Sequence, residues 1–160
     1  EMISRNLVTW NAVISGYVQN GQEREGLELF YRMKCREFYV PDEYTVATVL
    51  SACGYVQDLI LGMQVHGYAF VSGFESCCRN SLANMYFSCS RVAWAEEVFV
   101  RSEEKDIVSK LVKIRGYVFN HMYADAVKYI LSIENAVEIL VTDQTIFVPL
   151  LSVCAKMHLL

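Results

Sequence analysis

The stretch Leu7–Asp42, LVTWNAVISGYVQNGQEREGLELFYRMKCREFYVPD, decides how the rest of the chain is read. Trp10, Val13, Ile14, Tyr17 and Val18 fall at i, i+3, i+4, i+7 and i+8, one apolar stripe of a helix with 3.6 residues per turn. Thr9 stands where it can cap the start, and Asn20-Gly21 supplies the left-handed residue that ends the helix. Leu27, Phe30 and Met33 make a second stripe. Val40-Pro41-Asp42 then breaks the chain, because the residue before a proline is pushed out of the helical region. One such helical hairpin cannot bury its apolar faces alone, so the unit must recur.

Recurrence is visible along the whole chain. Asp42-Glu43-Tyr44-Thr45 leads to Val49-Leu50-Ser51-Ala52-Cys53, and Asp143-Gln144-Thr145 leads to Leu150-Leu151-Ser152-Val153-Cys154 at an offset of 101 residues. Gly16-Tyr17 returns as Gly116-Tyr117 and Asn20 as Asn120, while Asn80-Ser81-Leu82-Ala83 repeats the opening Asn11-Ala12-Val13-Ile14. Cutting at these marks gives units 7–42, 43–75, 76–106 and 107–143, with the start of another at 144–160. Units of 31 to 37 residues predict an all-α fold, an α-solenoid (superhelix) of stacked antiparallel helix-turn-helix repeats. The expected helices are 9–20 and 22–35, 45–55 and 58–72, 79–88 and 92–101, 109–119 and 123–133, and one from about 145.

VTWNAVISGYVQNG, then GLELFYRM and a closing PD, resembles the pentatricopeptide repeat (PPR) family. The order of units is similar to that family's plant-type PLS triplet of standard (P), long (L) and short (S) motifs. TVATVLSAC with GMQVHGYAFVSGF resembles the long motif, and NSLANMY with WAEEVF and Asp106 the short one. Unit 107–143 is a degenerate P-like repeat, because Ser109-Lys110-Leu111-Val112 stands where the motif has serine, tryptophan, asparagine and a small residue. The resemblance implies a nuclear-encoded protein imported into mitochondria or chloroplasts. The first residue is Glu1 and an apolar helix pattern is still running at the other end, so a piece of a longer array is expected.

Of 160 residues, 54% are apolar and only two are proline, enough apolar surface for a continuous helical core and too few breakers for a sheet fold. The most apolar stretch, Leu59 to Phe74, contains Gln64, His66 and several glycines, so no membrane span or membrane partner is expected. Six cysteines are present without any C-x-x-C, and none of His66, His121 and His158 is followed by x-Glu. A zinc deaminase needs both elements, so neither that active site, nor a metal, nor a cofactor is expected here. Cys53, Cys154 and Cys89 read as small core residues, whereas Cys35 and Cys77-Cys78 lie near unit junctions. Gly16, Gly62 and Gly116 sit inside helices, where close packing explains them. His66 has no nucleophile nearby, Glu96-Glu97 and Glu103-Glu104 read as solvated faces, and no catalysis is expected.

The polar residue that interrupts the first-helix stripe is the binding candidate: Asn11 in the first unit and Asn80 in the third. An amide carries a donor and an acceptor suited to a base edge, although taken singly each asparagine reads as a surface amide. The resemblance adds the context. Pentatricopeptide repeats read one base per repeat with two or three side chains, here the fifth residue, the last residue and a clamp at the second. These map to Asn11, Asp42 and Val8, and to Asn80, Asp106 and Cys77. Asparagine with a terminal aspartate implies uracil. The long unit offers Ala47, with Tyr44 as clamp and Glu75 as its terminal match, and unit 107–143 offers Leu111, Asp143 and Val108, which departs from the pattern.

Fourteen basic against eighteen acidic residues give a net charge of −4, unlike the basic footprint of most nucleic-acid binders. Lys110, Lys113 and Arg115 cluster in one helix and are candidate phosphate contacts, with a solvated face as the equal alternative; Lys110 occupies the place of Trp10 and must snorkel or loosen the unit. The leading expectation is a module that binds single-stranded organellar RNA, with other RNA-editing proteins as further partners. A helical-repeat scaffold that binds protein is the second reading, since hairpin solenoids serve both purposes. A degenerate fragment without activity is the third.

Overall fold

The computed structural model describes residues 6–100 and 106–133, and in them every regular element is a helix. The eight helices are α1 (Leu7–Gln19), α2 (Glu23–Cys35), α3 (Glu43–Val56), α4 (Leu59–Val71), α5 (Arg79–Ser88), α6 (Val92–Val100), α7 (Ile107–Phe119) and α8 (Tyr123–Leu131). The expected helix from about 145, Asp143, Cys154 and His158 lie outside the described residues.

Each hairpin closes through the same turn. The amides of Gln22, Asp58, Arg91 and Met122 donate to the carbonyls of Tyr17, Cys53, Tyr86 and Tyr117, each five residues back. Between them stands one left-handed residue: Gly21, Gln57, Ser90 and His121, at φ of 74°, 56°, 56° and 59°. This is the six-to-one bond that satisfies the last carbonyls of a helix. Helix starts are capped by side-chain oxygens of Asn6, Asp42, Asp58 and Asp106, which accept the amides of Thr9, Thr45, Leu61 and Ser109. Asn6, and not Thr9, therefore caps α1, which begins two residues earlier than expected.

The first helices stack directly, α1 on α3, α3 on α5 and α5 on α7, and each of α2, α4 and α6 packs against its own partner and the following first helix. Second helices make no comparable contact with one another among the described residues. The first helices thus form the continuously packed row of the stack, its inner face. A continuous apolar cluster runs between the rows, from Trp10 and Phe30 through Leu50, Met85 and Phe99 to Ile114 and Ala126.

Two expectations change. Trp10, Ile14 and Val18 are buried, but Val13 is 41% and Tyr17 37% exposed. The buried face of α1 extends the other way, to Asn11 and Ser15, because α3 covers that flank. Gly62 and Gly116 do mark close packing: a Cβ on them would lie 2.5 Å from the Met85 sulfur and 2.2 Å from Cγ of Phe87. A Cβ on Gly16 would meet nothing within 4 Å, whereas Gly26 and Gly54 abut Val18 and Met85. Lys110 is half-buried at the position where Trp10 is core.

Candidate nucleic-acid interface

The inner face is organised at the seams where one unit hands over to the next. At the first seam Asp42 caps α3 by accepting the Thr45 amide at 2.9 Å. The same carboxylate accepts Nδ2 of Asn11 with both oxygens, at 3.0 and 2.9 Å. Thr45 completes the set, its hydroxyl lying against Oδ1 of Asn11 and 2.8 Å from Oδ1 of Asp42. Asn11 is only 9% exposed and Thr45 1%, so the network is drawn in between α1 and α3.

The second seam uses an asparagine, an aspartate and a serine in place of threonine, and joins them differently. Asp106 caps α7 by accepting the Ser109 amide at 2.7 Å. The Ser109 hydroxyl bridges, 2.9 Å from Oδ2 of Asp106 and 2.8 Å from Oδ1 of Asn80. Sequence reasoning paired each asparagine with its terminal aspartate but missed the hydroxyl of the following unit. Its signal was legible as Asp-x-x-Thr at 42–45 and Asp-x-x-Ser at 106–109. At the seam between them Ala47 has no side-chain polar group, and the corresponding Cys78 is buried, its thiol 3.4 Å from the Glu43 carbonyl. Glu75 lies 3.5 Å from Nε2 of His66, against α4.

Both aspartates are held below their ordinary pKa. For Asp42 burial pushes upward, and the amide and hydroxyl of Thr45 with the Asn11 amide outweigh it. For Asp106 the Ser109 amide is the largest influence and lowers it; burial opposes, and the Ser109 hydroxyl and the Arg79 charge add to the lowering. Both are therefore acceptor-only carboxylates near neutral pH.

The expected clamp positions share one character. Val8 is 73% exposed, Tyr44 and Val108 are each 53% exposed, and Cys77 is also exposed. Between α1 and α3 a cleft of 550 Å³ is lined by Ser15, Gln19, Tyr44, Ala47, Ser51 and Tyr55. A second, of 260 Å³ between α5 and α7, takes in Asn84, Ser88, Arg115 and Phe119. Among the three basic candidates, Arg115 lines this inner cleft. Lys113 instead places its ammonium 4.6 Å from the Tyr129 ring centre and 5.8 Å from that of Phe99. Leu111, expected at the reading position of the fourth unit, is buried.

On the second-helix side, His66 Nδ1 lies 2.7 Å from the Tyr86 hydroxyl, in a cleft shared with Trp94 and Glu97. Arg91 stands 5.8 Å over the Trp94 ring, so the aromatic, acidic and basic groups there serve one another. Burial pushes the thiols of Cys53 and Cys78 up to about 12, which leaves them unreactive. Among the described residues no group of three His, Cys, Asp or Glu could hold a metal ion, and no helix is long and apolar enough to cross a membrane.

Residues 5–54 match the PPR repeat family. The chain is 38% identical over 160 residues to a chloroplastic pentatricopeptide repeat-containing protein of Arabidopsis thaliana, covering 98% of this chain and 18% of that protein. A second Arabidopsis thaliana protein of that description is 36% identical over 153 residues, 94% of this chain and 21% of the relative. A third, chloroplastic, is 39% identical over 129 residues, 79% of this chain and 15% of the relative. The chain thus spans about a fifth or less of the length of these relatives. Helical hairpins at this period, their shared turn and these likenesses place the chain in the pentatricopeptide repeat family.

Proposed function

We propose that this chain is a base-reading segment for single-stranded RNA within an organellar RNA-processing or editing factor of the PLS type, built from repeats 7–42, 43–75, 76–106 and 107–143. Pentatricopeptide repeat proteins are in general RNA-binding, and several relatives are named chloroplastic. The observation that carries the reading is the Asn11–Asp42 pair, with the same residue types at Asn80 and Asp106, on helices of one stacked row. Each asparagine would face one base, with the exposed Val8, Tyr44, Cys77 and Val108 as apolar walls between successive bases. Ala47 offers no hydrogen bond, so the base between should be free. The expected site is U-N-U within a longer sequence, and chemistry on the RNA falls to other domains or partners.

The test is the full-length protein carrying this chain, bound to RNAs altered at either uridine and repeated with Asn80→Ala. Discrimination of about 1–3 kcal/mol per altered contact is the scale of a good base reader. Equal binding of all substituted RNAs, with salt weakening every one, would defeat the reading. That result would favour a protein-binding scaffold, which the net charge of −4 already favours as the second reading.

A further inference from the structure

We infer that the cleft between α4 and α6, on the outer side of the stack, is a docking site for an arginine side chain of a protein partner. The site lies among the second helices, away from the proposed base-reading row, and goes beyond that reading. Consecutive second helices leave gaps, and on either side of this one the chain seats its own lysine against an aromatic ring. Across the gap from α2 to α4, the Lys34 ammonium lies 5.3 Å from the Tyr68 ring centre. Between α6 and α8, the Lys113 ammonium lies 4.6 Å from the ring centre of Tyr129 and 5.8 Å from that of Phe99. The gap between α4 and α6 has no such lysine. Neither helix carries a lysine or an arginine, and Leu82, which holds the place of Lys113 in the third unit, is buried.

In its place stands an open cleft of 260 Å³ whose lining includes Met63, His66, Glu75, Tyr86, Trp94 and Glu97. Its aromatic wall is held in position. The Tyr86 hydroxyl is 2.7 Å from Nδ1 of His66, and the Tyr86 ring meets those of His66 and Trp94 edge to face, each at 5.6 Å. Trp94 is 41% exposed, and the carboxylates of Glu75 and Glu97 belong to the same lining. Arg91 stands 5.8 Å over Trp94 without being part of that lining, which shows that this ring takes a guanidinium. An indole beside two carboxylates attracts a cation and repels phosphate, so RNA is turned away from this side. A planar guanidinium suits the cleft better than a compact ammonium, because it stacks on an indole while donating to a carboxylate. A carboxylate that already accepts one bond can accept from it as well, since an ionised carboxyl offers about four lone-pair sites.

The experiment presents a displayed library of randomised short peptides to the full-length protein as wild type, Trp94→Ala and Glu97→Gln. Peptides enriched by the wild type and lost with both variants are those that occupy the cleft, and they should share one arginine. Glu97 is exposed, so Glu97→Gln keeps the fold and carries the test alone should Trp94→Ala fail to fold. Changing the shared arginine to citrulline keeps its shape and removes its charge. That change should weaken binding to the wild type about tenfold, the scale of a charge-assisted hydrogen bond, and binding to Glu97→Gln about twofold or less. The absence of any variant-dependent peptide, variant-dependent peptides without a shared arginine, or equal citrulline losses in wild type and Glu97→Gln would each overturn the inference. Base reading by Asn11 and Asn80 is tested with RNA and stands or falls separately.

Discussion

The two polar seams each carry an asparagine, an aspartate and a hydroxyl residue, threonine in the first and serine in the second, and differ in how tightly they close. Between Asn11 and Thr45 the chain travels 34 residues, and Asp42 reaches the asparagine directly. Between Asn80 and Ser109 it travels 29, and the serine hydroxyl spans the gap. The first seam has an anchor: Pro41 is buried, and its carbonyl accepts the Tyr68 hydroxyl of α4 at 2.8 Å, which fixes the backbone next to Asp42. Asp106 is more exposed than Asp42. Residue identity at the asparagine and aspartate positions is therefore only half of the geometry. At the first seam the held backbone beside Asp42 keeps the carboxylate within reach of Asn11.

The helices beneath the seams differ most, and the largest expected effect lies there. Trp10 is 2% exposed under the first seam, and Trp10→Ala should cost about 3–5 kcal/mol, the range for large aromatic truncations. Lys110→Ala, at the same place in the fourth unit, should change stability by about 0.5 kcal/mol or less. Urea unfolding of the two variants measures the contrast, and a loss below about 1 kcal/mol at Trp10 would erase it.

Gly16 and Gly116 hold one position in two repeats and should respond in opposite directions. A Cβ at 116 would collide with the Phe87 ring, so Gly116→Ala should cost about 1–3 kcal/mol through overpacking of α7 on α5. Gly16→Ala meets open space and should add about 0.5–1 kcal/mol from helix propensity. Thermal melts read both signs. Stabilisation by Gly116→Ala would mean that α5 and α7 are not in contact as described.

Much of the fold was legible because a repeat states its period several times over. All eight described helices fall within three residues of the expected bounds, since stripes, the Asn-Gly turn and the Pro-Asp break each mark them. The hidden parts have two physical causes, contact between units and backbone bonding inside the turns. Asn11 and Ser15 are buried because α3 covers them, and no pattern within α1 announces that. The three later turns place Gln57, Ser90 and His121 in the left-handed region with no glycine to mark them, held by the same five-back bond as at Gly21. The reading pairs came from the family resemblance, whereas the hydroxyls of Thr45 and Ser109 needed coordinates, because they belong to the next unit.

The anchor of the first seam supplies a smaller test. Tyr68→Phe removes the bond to the Pro41 carbonyl and should cost about 0.5–1.5 kcal/mol, the net value of one hydrogen bond. The informative readout is the Asn11 side-chain amide in a nitrogen–proton spectrum, whose two protons should move while those of Asn80 stay in place. If the Asn80 amide moves as much as that of Asn11, the seams are coupled and the anchor does not explain their difference.

The smallest effect comes from pH, and it tests both seams at once. A carboxylate whose pKa is lower folded than unfolded adds stability that is complete above its ordinary value, here 3.8, and is lost as pH falls through the depressed value. Both aspartates are largely solvated, so screening keeps each contribution small. Asparagine also caps helices well, so Asp42→Asn and Asp106→Asn keep the starts of α3 and α7 and remove only the charge. In urea titrations from pH 6 to pH 3, the wild type should begin above each variant, and the gap should close on the acid side. At the first seam the charge also faces the Asn11 amide, which asparagine cannot accept from without turning its own oxygen inward, so Asp42→Asn should show the wider gap at pH 6. Equal gaps would mean that Asp42 acts on α3 alone, and a gap that widens on acidification would reverse the sign of the argument.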